Sequence, residues 1–238
     1  MTQYFFPVKT WMQLWENEAE DRKNCAIVYT AIDRLIKNYK SCDALLTSID
    51  ALYEHMYHAI SKNMIEAALK ELEACHMISI TYGQDEFIIA VNYDAVDSLE
   101  KEYMPKVNSK TQNFSVYYFA VAYATEHSIT SAAFPIMLSR LVIDLNFGYF
   151  KSKLSTQYLQ KKFANVFSID EIRDAMALLH NEKILVNTSE NVDFDAWQEY
   201  VPSIEHIKQI ICDYDAKINE LRASRYTKYD FDLNTISN

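Results

Sequence analysis

The chain has 238 residues, half of them hydrophobic and 13% aromatic, with a net charge of -10 and only two glycines. Its apolar content excludes a disordered chain and is enough for two small cores, while the acidic balance excludes broad attraction to nucleic acid or anionic membranes, which takes clustered Lys and Arg. With only Gly83 and Gly148, the GxxxxGK[ST] and GxGxxG phosphate loops and the GxSxG nucleophile elbow are excluded as well, since each needs several glycines.

The opening residues carry no basic stretch followed by a long apolar one, and the longest apolar run, 116–124, is far too short to span a bilayer. The expectation is a cytoplasmic protein with no membrane segment. Cys25, Cys42, Cys75 and Cys212 are scattered, with no CxxC pair, which points to reduced thiols rather than a zinc ribbon or a disulfide framework.

In chain order, apolar residues at helical spacing predict a helix over 25–39. Ser48 then caps a second helix that breaks near 57–60. A third follows, started either by Ser61 as N-cap or by Asn63 with Glu66 as a capping box. It runs into a β-branched strand at 78–82, and Gly83 to Asp85 turns the chain into a return strand. The polar segment 99–114 contains Pro105 and reads as a linker. An aromatic helix over 114–127 and another helix over 134–147 open the second half. Ser155 caps the next helix, Ser168 and Glu171 make an S-x-x-E box, and a weak hairpin follows with 189–191 as its turn and 192–194 as its return strand. A long helix from about Pro202 to Ser224 places Ile204, Ile207, Ile211, Tyr214, Ile218 and Leu221 on one stripe, with Pro202 in its first turn. The tail, 226–238, reads as loose.

The two halves are related. A shift of 107 residues aligns 48–79 with 155–186 without a gap. It matches Ser48 with Ser155, Leu52 with Leu159, Ser61 with Ser168, Ile65 with Ile172, Ala68 with Ala175 and Leu72 with Leu179. Ile65, Ala68 and Leu72 share one helical face, as do their counterparts, which is the signature of a duplicated unit.

Helix, short turn, helix and β-hairpin resembles the winged-helix fold over 41–93 and 150–197. The most specific part is the pattern ending in Leu72…Met77-Ile78 and Leu179…Ile184-Leu185. His76 and Lys183 stand where winged-helix proteins usually carry glycine. The expected fold is mainly α with small β-hairpins (α+β): an N-terminal winged-helix (helix-turn-helix) unit over 1–98, a linker over 99–114, a second unit over 115–200 and a C-terminal amphipathic helix over 201–225.

Little in the chain suggests catalysis. Glu54, His55 and His58 offer a three-residue histidine spacing without a third ligand, and Cys75-His76 are adjacent, so their side chains diverge. The acidic triplets at 193–195, 213–215 and 230–232 read as solvated carboxylates rather than magnesium ligands. No catalytic residue, metal or cofactor is expected. A groove-reading helix presents Lys, Arg, Asn or Gln to DNA. Here the candidates are Lys62 and Asn63 on the first helix and Arg173 on the second, yet both helices carry more acids than bases. The basic cluster is elsewhere, at Lys151, Lys153, Lys161 and Lys162.

Acidic tandem winged-helix architecture is similar to that of the kleisin-interacting accessory subunits of SMC complexes, the MukE- and ScpB-like proteins. That resemblance implies a non-enzymatic protein scaffold with a kleisin- or SMC-like partner, a possible homodimer, and weak or indirect contact with DNA. The opening sequence is also similar in style to plasmid and phage replication initiators and DnaD-type primosomal proteins, which implies the alternative of direct DNA binding in replication or transcriptional control.

Overall fold

A computed structural model describes residues 3–7, 21–38, 44–95, 113–130, 132–147, 151–163 and 167–235. The architecture is mixed α+β and predominantly helical. Strand β1 (Gln3–Pro7) leads to helix α1 (Arg22–Asn38), strand β2 (Ala44–Thr47) and helices α2 (Ile49–His55) and α3 (Lys62–Ala74). The hairpin of β3 (Ile78–Tyr82) and β4 (Phe87–Val91) closes an antiparallel sheet of order β2-β4-β3. Beyond it come β5 (Asn113–Tyr117), α4 (Tyr118–Glu126) and α5 (Ala133–Phe147). The chain then repeats the earlier series with β6 (Ser152–Leu154), α6 (Thr156–Lys162), α7 (Ile169–Asn181), β7 (Val186–Asn187) and β8 (Gln198–Val201), in a sheet of order β6-β8-β7. Helix α8 (Ile204–Thr235) ends the described chain.

The repeat holds at the level of single hydrogen bonds. Ser48 and Ser155 accept from the amides of Ala51 and Tyr158, and Ser61 and Ser168 accept from those of Met64 and Glu171. In the second unit the Glu171 carboxylate also accepts from the Ser168 amide at 2.8 Å, completing the box. In the first unit Ser61 is the cap, and Asn63 lies inside the helix. Each cap satisfies N–H groups that the helix itself leaves without partners.

At the other end of α3 and α7 the matching residues again act alike. The Met77 amide donates to the Leu72 carbonyl and the Ile184 amide to that of Leu179, both at 3.0 Å. Between helix and strand, His76 and Lys183 both sit at φ 56°. A left-handed residue here lets the chain leave the helix while the last carbonyls stay bonded, which is why glycine is common at this place. The strands that follow are steadied from the helices as well. The Ile80 amide donates to Glu73 Oε1 at 3.0 Å, and the Asn187 amide donates to His180 Nδ1 at 3.1 Å.

The predicted core positions are buried in pairs: Leu52 and Leu159, Ile65 and Ile172, Ala68 and Ala175, Leu72 and Leu179 are each at most 1% exposed. The same core extends through α1, α4 and α5. A charged residue joins the halves: Lys23, almost wholly buried, donates from Nζ to the Ile129 carbonyl at 3.1 Å. Burial lowers its pKa, and the nearby Asp21 opposes that shift.

Several elements differ from the sequence reading. Residues 113–117 are not the start of the aromatic helix but strand β5, paired antiparallel with β1 (Phe5 opposite Ser115). Phe114 and Val116 alternate with Asn113 and Ser115, a pattern that suits a strand once a partner far away in sequence lies beside it. The return strand of the second hairpin is β8, while 192–194 lie in the loop before it. Helix α8 starts at Ile204, since its Ile207 amide bonds the Ser203 carbonyl at 2.9 Å. Pro202 lies outside it. The helix runs to Thr235 rather than ending near 224, so most of the expected loose tail is helical. The expected linker residues 99–112 lie outside the described residues.

Candidate interaction surface

The residues that would read DNA are engaged within the chain. Arg173, near the start of α7, is held by two carboxylates: its guanidinium lies 2.5 Å from Asp170 and 2.9 Å from Asp195. Both hold the guanidinium in its charged form. Lys62 at the start of α3 is 2.7 Å from Asp50 and lies over the ring of Tyr53. Asn63 is exposed beside it.

The basic cluster is split in the same way. Lys151 pairs with Glu199 at 2.8 Å. Lys162 at the end of α6 is half-buried over the Phe163 ring, and burial lowers its pKa. Lys153 on β6 and Lys161 on α6 are exposed, and among the described residues neither has a carboxylate partner.

Asp195 belongs to one of the acidic triplets, and its role is structural. Its Oδ1 accepts from the Thr156 hydroxyl at 2.7 Å while both oxygens face Arg173. The hydroxyl bond, then the guanidinium, hold its carboxyl below the ordinary range. Beside it, the Phe194 carbonyl accepts from the Thr156 amide at 3.0 Å, and the Phe194 ring meets His180 edge-on at 6.3 Å. The loop between β7 and β8 is thereby folded back over α6 and α7. Sequence reasoning missed this arrangement. Its one available signal was the greater length of chain between the two strands in the second unit than in the first.

The remaining candidates are elsewhere. Glu54 and His58 pair at 2.9 Å, and His58 stacks on Tyr53 at 4.1 Å. Among the described residues no group of three or more His, Cys, Asp or Glu side chains is placed to hold a metal. Asp213 accepts from Gln209. On α8 the stripe is real but rotated: Ile207, Tyr214 and Ile218 are buried, Ile211 and Leu221 half-buried, and Ile204 is 41% exposed. Ile210, absent from the expected set, is buried.

This stripe docks on the chain itself, chiefly against α4. The Tyr214 hydroxyl donates to Glu126 at 2.5 Å, and Tyr214 meets the Tyr123 ring edge-on at 5.9 Å. Tyr123, stacked on His127, donates to Glu182 at the end of α7 at 2.6 Å. Burial first, then these carboxylates, push both tyrosine pKa values up.

The exposed apolar groups concentrate elsewhere. Leu46, Tyr82 and Ile88 stand out from the β2-β4-β3 sheet, and Leu46 is paired opposite Ile88. On the second unit, Trp197 is exposed beside Tyr158, their rings 5.2 Å apart. Next to Tyr82, a groove of about 610 Å3 runs between the hairpin, α3 and the start of α2.

No family model, curated protein or solved structure matches this chain.

Among the described residues no helix is long and apolar enough to cross a membrane.

Proposed function

We propose that the protein is a non-enzymatic scaffold or accessory subunit in a DNA transaction, built from two winged-helix units that bind protein rather than read DNA. The reading rests on the order helix, strand, helix, helix, strand, strand, found twice with the middle strand of each sheet contributed last. The observation that carries the choice of protein over DNA is the clamp on Arg173 between Asp170 and Asp195. A helix whose cation is already neutralised, on a chain of this acidity, has little to offer a phosphate backbone. Lys62 with Asp50 and Lys151 with Glu199 extend the argument to the other candidates. Exposed Leu46, Tyr82, Ile88 and Trp197 supply the apolar contacts a protein partner takes. The kind of partner this favours is a subunit of a chromosome- or plasmid-maintenance complex, of the kleisin or SMC sort.

Duplex DNA titrated at about 50 and 200 mM salt tests the reading. The expected result is weak binding, blind to sequence, falling only about tenfold between the two salts as two phosphate contacts allow, and abolished by K161E/K153E. Nanomolar, sequence-selective binding that survives those substitutions overturns it and puts a replication initiator or regulator in its place.

A further inference from the structure

The two units differ at one place that the repeat makes comparable. In the second, Phe194 and Asp195 fold back onto Thr156, Arg173 and His180. The matching positions of the first unit are Ile49, Glu66 and Glu73. There the hairpin turns tightly, with the Gly83 amide bonded to the Glu86 carbonyl at 2.8 Å, so it has no residues to fold back. The groove at this place stays open, floored by Leu69, Ile80 and Phe87 and walled by Tyr82, which is 65% exposed.

The charge at the comparable position is reversed. Arg173 faces Asp195 in the second unit, whereas Glu66 occupies its place in the first, with Asp85 and Glu86 on the same rim and Lys70 as the cation of the lining. Asp50, also at the rim, is already engaged by Lys62. We propose that this groove docks a short segment of a protein partner in which an aromatic residue is followed by Lys or Arg. The aromatic ring covers the apolar floor as Phe194 covers its own, and the cation meets Glu66 as Asp195 meets Arg173. The bond from Ile80 to Glu73 closes the β3 edge at that point, so the segment is held by its side chains rather than as an added strand. The proposal rests on the reading of the chain as a protein-binding scaffold.

The test uses the full chain, labelled with 15N, and three synthetic peptides, GSFKSG, GSFDSG and GSAKSG. The expected result is saturable shifts at the amides of Leu69 and Tyr82 with GSFKSG, and binding at least about tenfold weaker for the other two. Glu66→Arg, at an exposed position, reverses the preference to GSFDSG, while Glu220→Arg, with the same change in net charge on α8, leaves it alone. No saturable shift, an unchanged preference in Glu66→Arg, or an equal loss in Glu220→Arg overturns the proposal. So does concentration-dependent broadening of the groove signals without peptide, which assigns the groove to a second copy of the chain. Weak DNA binding together with peptide failure removes the groove and leaves the scaffold; selective DNA binding removes the scaffold whatever the peptides do.

Discussion

His76 and Lys183, equivalent residues of the two units, share a backbone φ of 56°. Both follow a helix that closes on a leucine carbonyl, and both hold a side chain where the left-handed conformation disfavours one. Replacing either by glycine relieves that conflict while adding freedom to the unfolded chain. The expected net effect of His76→Gly or Lys183→Gly is a gain of about 0.5–1 kcal/mol each. Urea unfolding of the single and double variants measures it. Alanine at the same positions, which keeps the Cβ, gives no such gain.

The matched leucines give a larger effect of opposite sign. Leu72 and Leu179 are at most 1% exposed, and each ends the apolar face of its helix. Leu72→Ala and Leu179→Ala are expected to cost roughly 2–5 kcal/mol, set by how far the surroundings collapse into the space left. Chemical denaturation followed by circular dichroism reads both.

Much of this fold was legible because its signals are local. Serine caps, apolar residues three and four apart and a glycine at a turn act over a few residues, and they placed α2, α3, α6, α7 and the first hairpin. What stayed hidden depends on partners distant in sequence. β5 is a strand because β1 lies beside it, and β8 returns only after a loop that Thr156 and Arg173 hold down. The α8 stripe was read from regular spacing, but the face that packs is chosen by Tyr123 and Glu126 on α4, which turns Ile204 outward and Ile210 inward. The candidate DNA contacts illustrate the same limit. Lys62 and Arg173 are visible as cations in the sequence, and Asp170 as a carboxylate one turn before Arg173, yet Asp50 reaches Lys62 from the preceding helix and Asp195 reaches Arg173 from the loop between β7 and β8.

The Asp195 latch is expected to respond to pH. Its carboxyl titrates below the ordinary value because the Thr156 hydroxyl and Arg173 favour the charged form. A depressed folded pKa means the stabilisation is fully present above the unfolded value, near 4, and is lost as pH falls through the folded one. Protection of the Thr156 amide, which donates to Phe194, is therefore expected to hold from pH 7 to about 4 and to fall below it. Hydrogen exchange corrected for intrinsic rate measures this. Asp195→Asn is expected to lower protection already at neutral pH and to flatten its pH dependence. If wild type and variant lose protection in parallel, the latch is held by something other than this carboxylate.

Helix α8 offers a contrast between two isoleucines one turn apart. Ile207 is fully buried, whereas Ile204 is 41% exposed and precedes the face that meets α4. A charge at the fully buried Ile207 must be taken out of water, so Ile207→Asp is expected to cost at least about 3 kcal/mol or to undock the helix. Ile204→Asp puts a carboxylate in solvent in the first turn of a helix, where the dipole favours it, and is expected to change stability by less than about 0.5 kcal/mol. Tyr214→Phe keeps the ring packing and removes only the bond to Glu126, for a loss of about 1 kcal/mol. Thermal unfolding ranks the three, and light scattering shows whether an undocked helix pairs with a second copy. Equal losses from Ile204→Asp and Ile207→Asp would show that the helix buries a different face from the one that carries Tyr214.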